Sequence, residues 1–137
     1  MKISVMYLVA ILLVKTGLAQ DGKIDLVLKE QIEAFNQHDT KRLVANVSDD
    51  FIWFSVFPDS MTVETRGKVE FEKAMIGYFK AVPTVSTSLG ELLIEGNKIS
   101  FKETASWQGK EGKLSQSSLA TYEIKNGLIT RVWYFYD

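Results

Sequence analysis

The residues that most constrain this chain are Asn126-Gly127, set between two strand-like runs, Lys113–Lys125 and Leu128–Tyr136. Asn and Gly both reach the left-handed backbone region that a two-residue hairpin needs, so the pair folds the two runs into antiparallel neighbours. Similar punctuation recurs upstream. Thr84–Glu95 reads as a strand, Gly96-Asn97 as a turn, Lys98–Trp107 as a strand and Gln108–Gly112 as a polar loop. Phe51–Phe57 is apolar and aromatic enough for a buried strand, and Pro58-Asp59-Ser60 turns the chain after it. The C-terminal half is therefore expected to be an antiparallel meander.

Ahead of it the apolar period changes to that of a helix. Ile24, Val27, Leu28, Ile32 and Phe35 form one stripe, from a cap at Asp21 to about Gln37. Asp39 or Thr40 can cap a short second helix carrying Leu43, Val44 and Val47, ended by Ser48-Asp49-Asp50. A third helix fits Lys68–Ala81, with Val69, Ala74, Met75, Tyr78 and Phe79 inward, and Pro83 stops it. Helices followed by a meander within 137 residues predict one α+β domain. The expected architecture is a curved antiparallel sheet wrapped round three helices of the N-terminal half.

Charge and composition exclude several functions. The 16 Lys+Arg nearly balance the 17 Asp+Glu, so no basic surface for nucleic acid is expected. There is no cysteine and one histidine, which excludes disulfide frameworks, thiolate zinc sites, Cys nucleophiles and multi-histidine metal cages. Gly109 and Gly112 fall in a hairpin loop rather than before a helix, so no phosphate-binding loop is expected either. Neither a metal nor a cofactor is anticipated. At the N-terminus, Lys2, the apolar run Ile3–Val14 and the small residues of Gly17-Leu18-Ala19 have the layout of a cleaved signal peptide. The run is too short to span a bilayer. The expectation is a signal over residues 1–19, a domain over 20–137, and a secreted or periplasmic protein with no membrane anchor left after cleavage.

Several segments resemble a known family in order and spacing. Ala34-Phe35-Asn36-Gln37-His38-Asp39 followed by Asp50-Phe51-Ile52-Trp53 is similar to the opening of SnoaL-like domains, of the nuclear-transport-factor-two-like superfamily. Thr65-Arg66-Gly67-Lys68, Trp107-Gln108-Gly109-Lys110, Tyr122–Ile129 and Trp133-Tyr134-Phe135-Tyr136-Asp137 match its later landmarks. The resemblance implies a cone: a bent, cystatin-like sheet round the long first helix, with an apolar pocket inside and dimerisation through the outer sheet face. It also implies positions for catalysis. Where ketosteroid isomerases carry a carboxylate base this chain has Ser55; their helix donor falls at Gln31 and their strand donor at Gln116. In the epoxide-hydrolase relatives the base position falls near Tyr134, and Asp137 keeps a final acid that a chain end leaves in solvent.

The pattern alone supplies one more candidate. Ile99, Phe101, Glu103, Ala105 and Trp107 share a strand face. Glu103 among apolar neighbours would have a raised pKa and could act as acid or base. The more economical expectation is an outer face, with Glu103 paired to Arg131. His38, the only histidine, stands just before the second helix and reads first as a turn residue bonded to backbone. The Asn46-Val47-Ser48 sequon fits a helix end and is of a kind expected by chance.

Two functions follow. The first is an exported, dimeric binder of a small apolar molecule, with Trp53, Ser55, Gln31 and Gln116 in the pocket. The second is an acid–base enzyme of isomerase, cyclase or hydrolase type, with Glu103, Tyr134 or His38 as catalytic candidates. Trp133 and Phe135 on one strand face, opposite Tyr134 and Tyr136, supply apolar outer surface for a homodimer.

Overall fold

The computed structural model describes residues 23–137. The expected signal segment and the Asp21 cap lie outside the described residues. Helix α1 occupies 23–36. Ile24, Leu28, Gln31 and Ala34 are its buried residues. It ends in a left-handed residue, His38 (φ 54°). The Asp39 amide donates to the Ala34 carbonyl and the His38 amide to that of Phe35, both at 2.9 Å. This is a Schellman closure. The Asp39 carboxylate then accepts from the Arg42 amide and caps α2 (Thr40–Ala45).

Helix α2 is shorter than expected, because Val47 opens strand β1 (Val47–Phe57). Val47 and Ile129 stand paired in a parallel ladder, which takes Ser48-Asp49-Asp50 into the sheet as well. Strand β2 (Ser60–Arg66) follows the Pro58 turn, where no strand was anticipated; all its residues but Thr65 are exposed. Helix α3 (Gly67–Ala81) buries Phe71, Met75 and Phe79. Val69, expected inward, is 83% exposed. The i, i+4 row led by Phe71 faces the sheet instead, and Phe71 meets Phe51 at 4.8 Å between ring centroids.

The single strand expected over Thr84–Glu95 is two. Strands β3 (Ser86–Leu89) and β4 (Leu93–Glu95) both pair with β5 (Lys98–Gly109). Between them the Gly90 amide donates to the Lys102 carbonyl at 2.8 Å. Strands β6 (Gly112–Lys125) and β7 (Leu128–Phe135) complete the meander. The polar loop before β6 is shorter than expected, since Gly109 and Gly112 already pair. The sheet order is β2-β1-β7-β6-β5-β3, with β4 also on β5. The β1–β7 pairing is parallel, so the sheet is mixed rather than wholly antiparallel. Register shifts in β1–β2 and β6–β7 increase its curvature. The result is an α+β cone whose sheet stays open.

Side-chain size along the inward face tapers, and this hollows the cone. At one end Ile99 and Phe101 of β5, Ile124 of β6, Ile129 of β7, Val47 of β1 and Leu28 of α1 are almost wholly buried. Toward the other end the inward series continue as Glu103 and Ala105 on β5, and as Ala120, Ser118 and Gln116 on β6. Small and polar groups there leave space that large apolar groups fill at the first end.

Candidate functional site

That space is a cavity of about 280 Å³. Phe51 and Trp53 of β1, Phe71, Met75 and Tyr78 of α3, and Ile32 and Phe35 of α1 supply most of its apolar wall. The polar groups are few. They are Gln31, Thr87, Glu103, Gln116, Ser118 and the hydroxyls of Tyr78, Tyr122, Tyr134 and Tyr136. An apolar hollow with a few converging polar groups has the make-up of a small-molecule site.

Glu103 faces this cavity, not the outer surface. The expected ion pair with Arg131 is absent: Arg131 approaches Glu123 instead, at 3.6 Å. Two-residue alternation put Glu103 on the same face as Ile99 and Phe101, and these are core residues, so the acid is carried inward with them. Which face is inward depends on where the helices pack, and the strand's own alternation leaves that open. Burial raises the Glu103 carboxyl above the usual carboxylate range, and the nearby Tyr134 and Thr87 hydroxyls pull the other way. Among the described residues no Lys, Arg or His side chain lines the cavity to stabilise the ionised form.

Tyr134 lies beside the acid. Its hydroxyl is 2.7 Å from that of Tyr122, and the two rings meet edge-on at 6.2 Å. Burial, with the Glu103 charge nearby, pushes both phenols above their ordinary value and keeps them neutral. Glu103, Tyr134 and Tyr122 thus form one polar cluster across β5, β7 and β6, which no single segment of sequence displays. Tyr122 was not anticipated as part of it. Its inward position follows from alternation with Ala120 and Ile124, a signal readable only once the register is known.

The remaining candidates divide. Trp53 lines the cavity, while Ser55 is buried beside it on the same face of β1 without reaching its wall. Gln116 is exposed and lines the cavity, which places it at the mouth. Gln31 lines the cavity with its amide already engaged: Nε2 donates to the Leu43 carbonyl (3.4 Å) and Oε1 accepts from Asn46 (2.9 Å). The Asn46 amide of the sequon is therefore used inside the fold. His38 stands outside the cavity lining. Its ring stacks on Phe79 (4.1 Å) and its Nε2 is 2.7 Å from the Val85 carbonyl, so it ties the end of α1 to α3 and to the approach to β3. Trp133 faces outward and stacks on Phe54 at 5.7 Å. Asp137 is exposed. Two buried polar atoms lack a partner among the described residues, Trp53 Nε1 and Thr65 Oγ1, on residues paired across β1 and β2. Among the described residues no three acidic or imidazole groups gather as a metal site.

The fold and this cavity define a class, and comparison with known proteins agrees. The profile of the SnoaL-like domain family matches residues 28–132, and the chain belongs to that family. An uncharacterised cystatin-fold protein from Novosphingobium aromaticivorans superposes with a TM-score of 0.69 at 17% identity, over 82% of this chain and 96% of that one. A polyketide-cyclase-like protein from Sinorhizobium meliloti gives 0.64 at 17% identity, over 79% and 92%. An epoxide hydrolase of M. tuberculosis gives 0.67 at 14% identity, over 85% and 84%. No curated protein matches the chain. At these identities the likeness shows the nuclear-transport-factor-two-like fold alone.

Proposed function

We propose that the cavity is a small-molecule site in which Glu103 is the working group, exchanging a proton with a small, mainly apolar molecule. The observation that carries this reading is an inward-facing carboxyl with no cation beside it among the described residues. Such a group is costly to bury and holds its proton to higher pH than a solvated carboxylate, which is the direction in which buried catalytic acids and bases are shifted. Tyr134 and Tyr122 are placed to orient an oxygen or nitrogen of the ligand, and Gln116 to hydrogen-bond it at the mouth. A second reading, binding without turnover, is favoured by Ser55, which stands where the family resemblance puts a carboxylate base.

The same proposal includes export through the segment 1–19 and a homodimer. The dimer would cover the apolar outer sheet, where Met61, Val63, Leu119 and Phe135 are exposed and Phe54 stacks on Trp133. An interface of this kind buries on the order of 1,200–2,000 Å² in total. The test of the site is native mass spectrometry of protein purified from its own host, followed by incubation of any retained molecule with fresh protein. Turnover that is lost in Glu103→Gln supports the acid–base reading. A retained molecule left unchanged by the wild type establishes binding alone.

A further inference from the structure

The cavity wall is unusual in sign. Among the described residues one acid, Glu103, stands among the rings of Trp53, Tyr78, Tyr122, Tyr134 and Tyr136, and no basic side chain lines the space. Aromatic faces carry negative potential, and neutral phenols add none of the positive charge that an anion would need. We propose that the site takes a small organic cation, an ammonium-bearing molecule with apolar substituents, held by Glu103 and the surrounding rings. This rests on Glu103 being the working group of the cavity, and it names the substrate class.

Charge compensation favours a cation over the other ligand classes. A neutral ligand leaves Glu103 either protonated or buried as an unpaired charge. An anion would meet that charge at short range with nothing to offset it. A cation supplies the missing partner and meets ring faces that attract it, in surroundings where water screens little. An amine can arrive neutral. The Glu103 O–H bond then breaks, an N–H bond forms on the nitrogen lone pair, and a carboxylate–ammonium pair remains with no change in net charge. The groups facing Glu103 do not interfere with this exchange. From β3 there is Thr87, from β6 Ser118 and Tyr122, from β7 Tyr134 and Tyr136, and from α3 Tyr78. The four tyrosines have their pKa raised by burial, and by Glu103, and stay protonated. Helix α1 presents Gln31, Ile32 and Phe35, none of them charged.

The experiment uses three probes of similar size: phenyltrimethylammonium, its uncharged isostere tert-butylbenzene, and benzoate. Each is titrated into the protein by calorimetry between pH 5 and 8.5. At the alkaline end the cation is expected to bind about tenfold or more tighter than the isostere, and benzoate not at all. Cation affinity should fall with acid as Glu103 takes up its proton, while that of the isostere stays level. Glu103→Gln should cut the preference about tenfold, to what the ring faces alone supply, remove its dependence on pH and keep isostere binding. An isostere that binds as tightly as the cation overturns the proposal and leaves the cavity a binding site. A preference of undiminished size in Glu103→Gln overturns it too. Failure of all three probes to bind refutes the small-molecule reading along with it.

Discussion

Two glutamates on neighbouring strands of one sheet have opposite surroundings. Glu123 sits at the filled end of the cone. It accepts a hydrogen bond from Thr130 Oγ1 at 2.7 Å and lies 3.5 Å from Lys125, 3.6 Å from Arg131 and 3.9 Å from Lys98. Burial alone would raise its pKa; the Thr130 hydrogen bond and the three cations together outweigh that and hold it below the usual range. Glu103, in the hollow half, has burial without cations and is raised. The same side chain therefore supports the fold in one place and burdens it in the other. A group held at a cost to stability, in a cavity, marks the half of the molecule shaped by something other than folding.

The filled half can be broken most directly at Phe101, which packs edge-on against Tyr122 at 5.2 Å. Phe101→Ala is expected to cost about 3–5 kcal/mol in chemical denaturation. A loss below about 1 kcal/mol would mean that this end does not hold the cone together.

Glu123→Gln is expected to cost about 1.5–3 kcal/mol at pH 7, since a charge-assisted hydrogen bond and its neighbouring cations lose their partner. The sign of the pH effect follows from the lowered pKa. The contribution is present above the unfolded carboxylate value and is lost as pH falls through the folded one. Wild type and variant should therefore converge in acid; a gap independent of pH would contradict the ion-pair account.

Glu103→Gln should act in the opposite direction. A raised pKa means the folded state holds its proton more tightly, so the wild type carries no penalty below the unfolded value and the full penalty above the folded one. The variant should be about 1–3 kcal/mol more stable at pH 7.5 and no more stable at pH 4, read from thermal midpoints at both. A less stable variant at neutral pH would erase the contrast between the two glutamates.

The smallest effect on stability is expected at the mouth. Gln116→Ala should leave the thermal midpoint almost unchanged, since the residue is exposed. It should weaken a bound carbonyl-bearing ligand by about 2- to 13-fold, the loss of one hydrogen bond. Equal affinities by titration would remove Gln116 from the site.

Much of the architecture was legible in the amino-acid order because it rests on local physics. Asn126 and Gly127 both have positive φ and close the β6–β7 hairpin. Asp39 caps α2, and Ile24 and Leu28 form the buried stripe of α1. Period-two alternation put Trp133 and Phe135 opposite Tyr134 and Tyr136, and the two tyrosines line the cavity while Trp133 stacks on Phe54 outside it. What alternation cannot do is say which face is covered. Charge assigns Glu103 to the outside, and the helices α1 and α3, whose side chains close the hollow that Glu103 lines, put that face inside. Likewise the helix carrying Leu43 ends before Val47 because a distant strand, β7, pairs with Val47 in parallel. Hairpins, caps and stripes are decided by residues a few positions apart. The cavity, its lone acid and the tyrosine pair beside it are decided by the register of strands brought together from far along the chain, where the taper from Phe101 to Ala105 and from Tyr122 to Gln116 becomes a hollow.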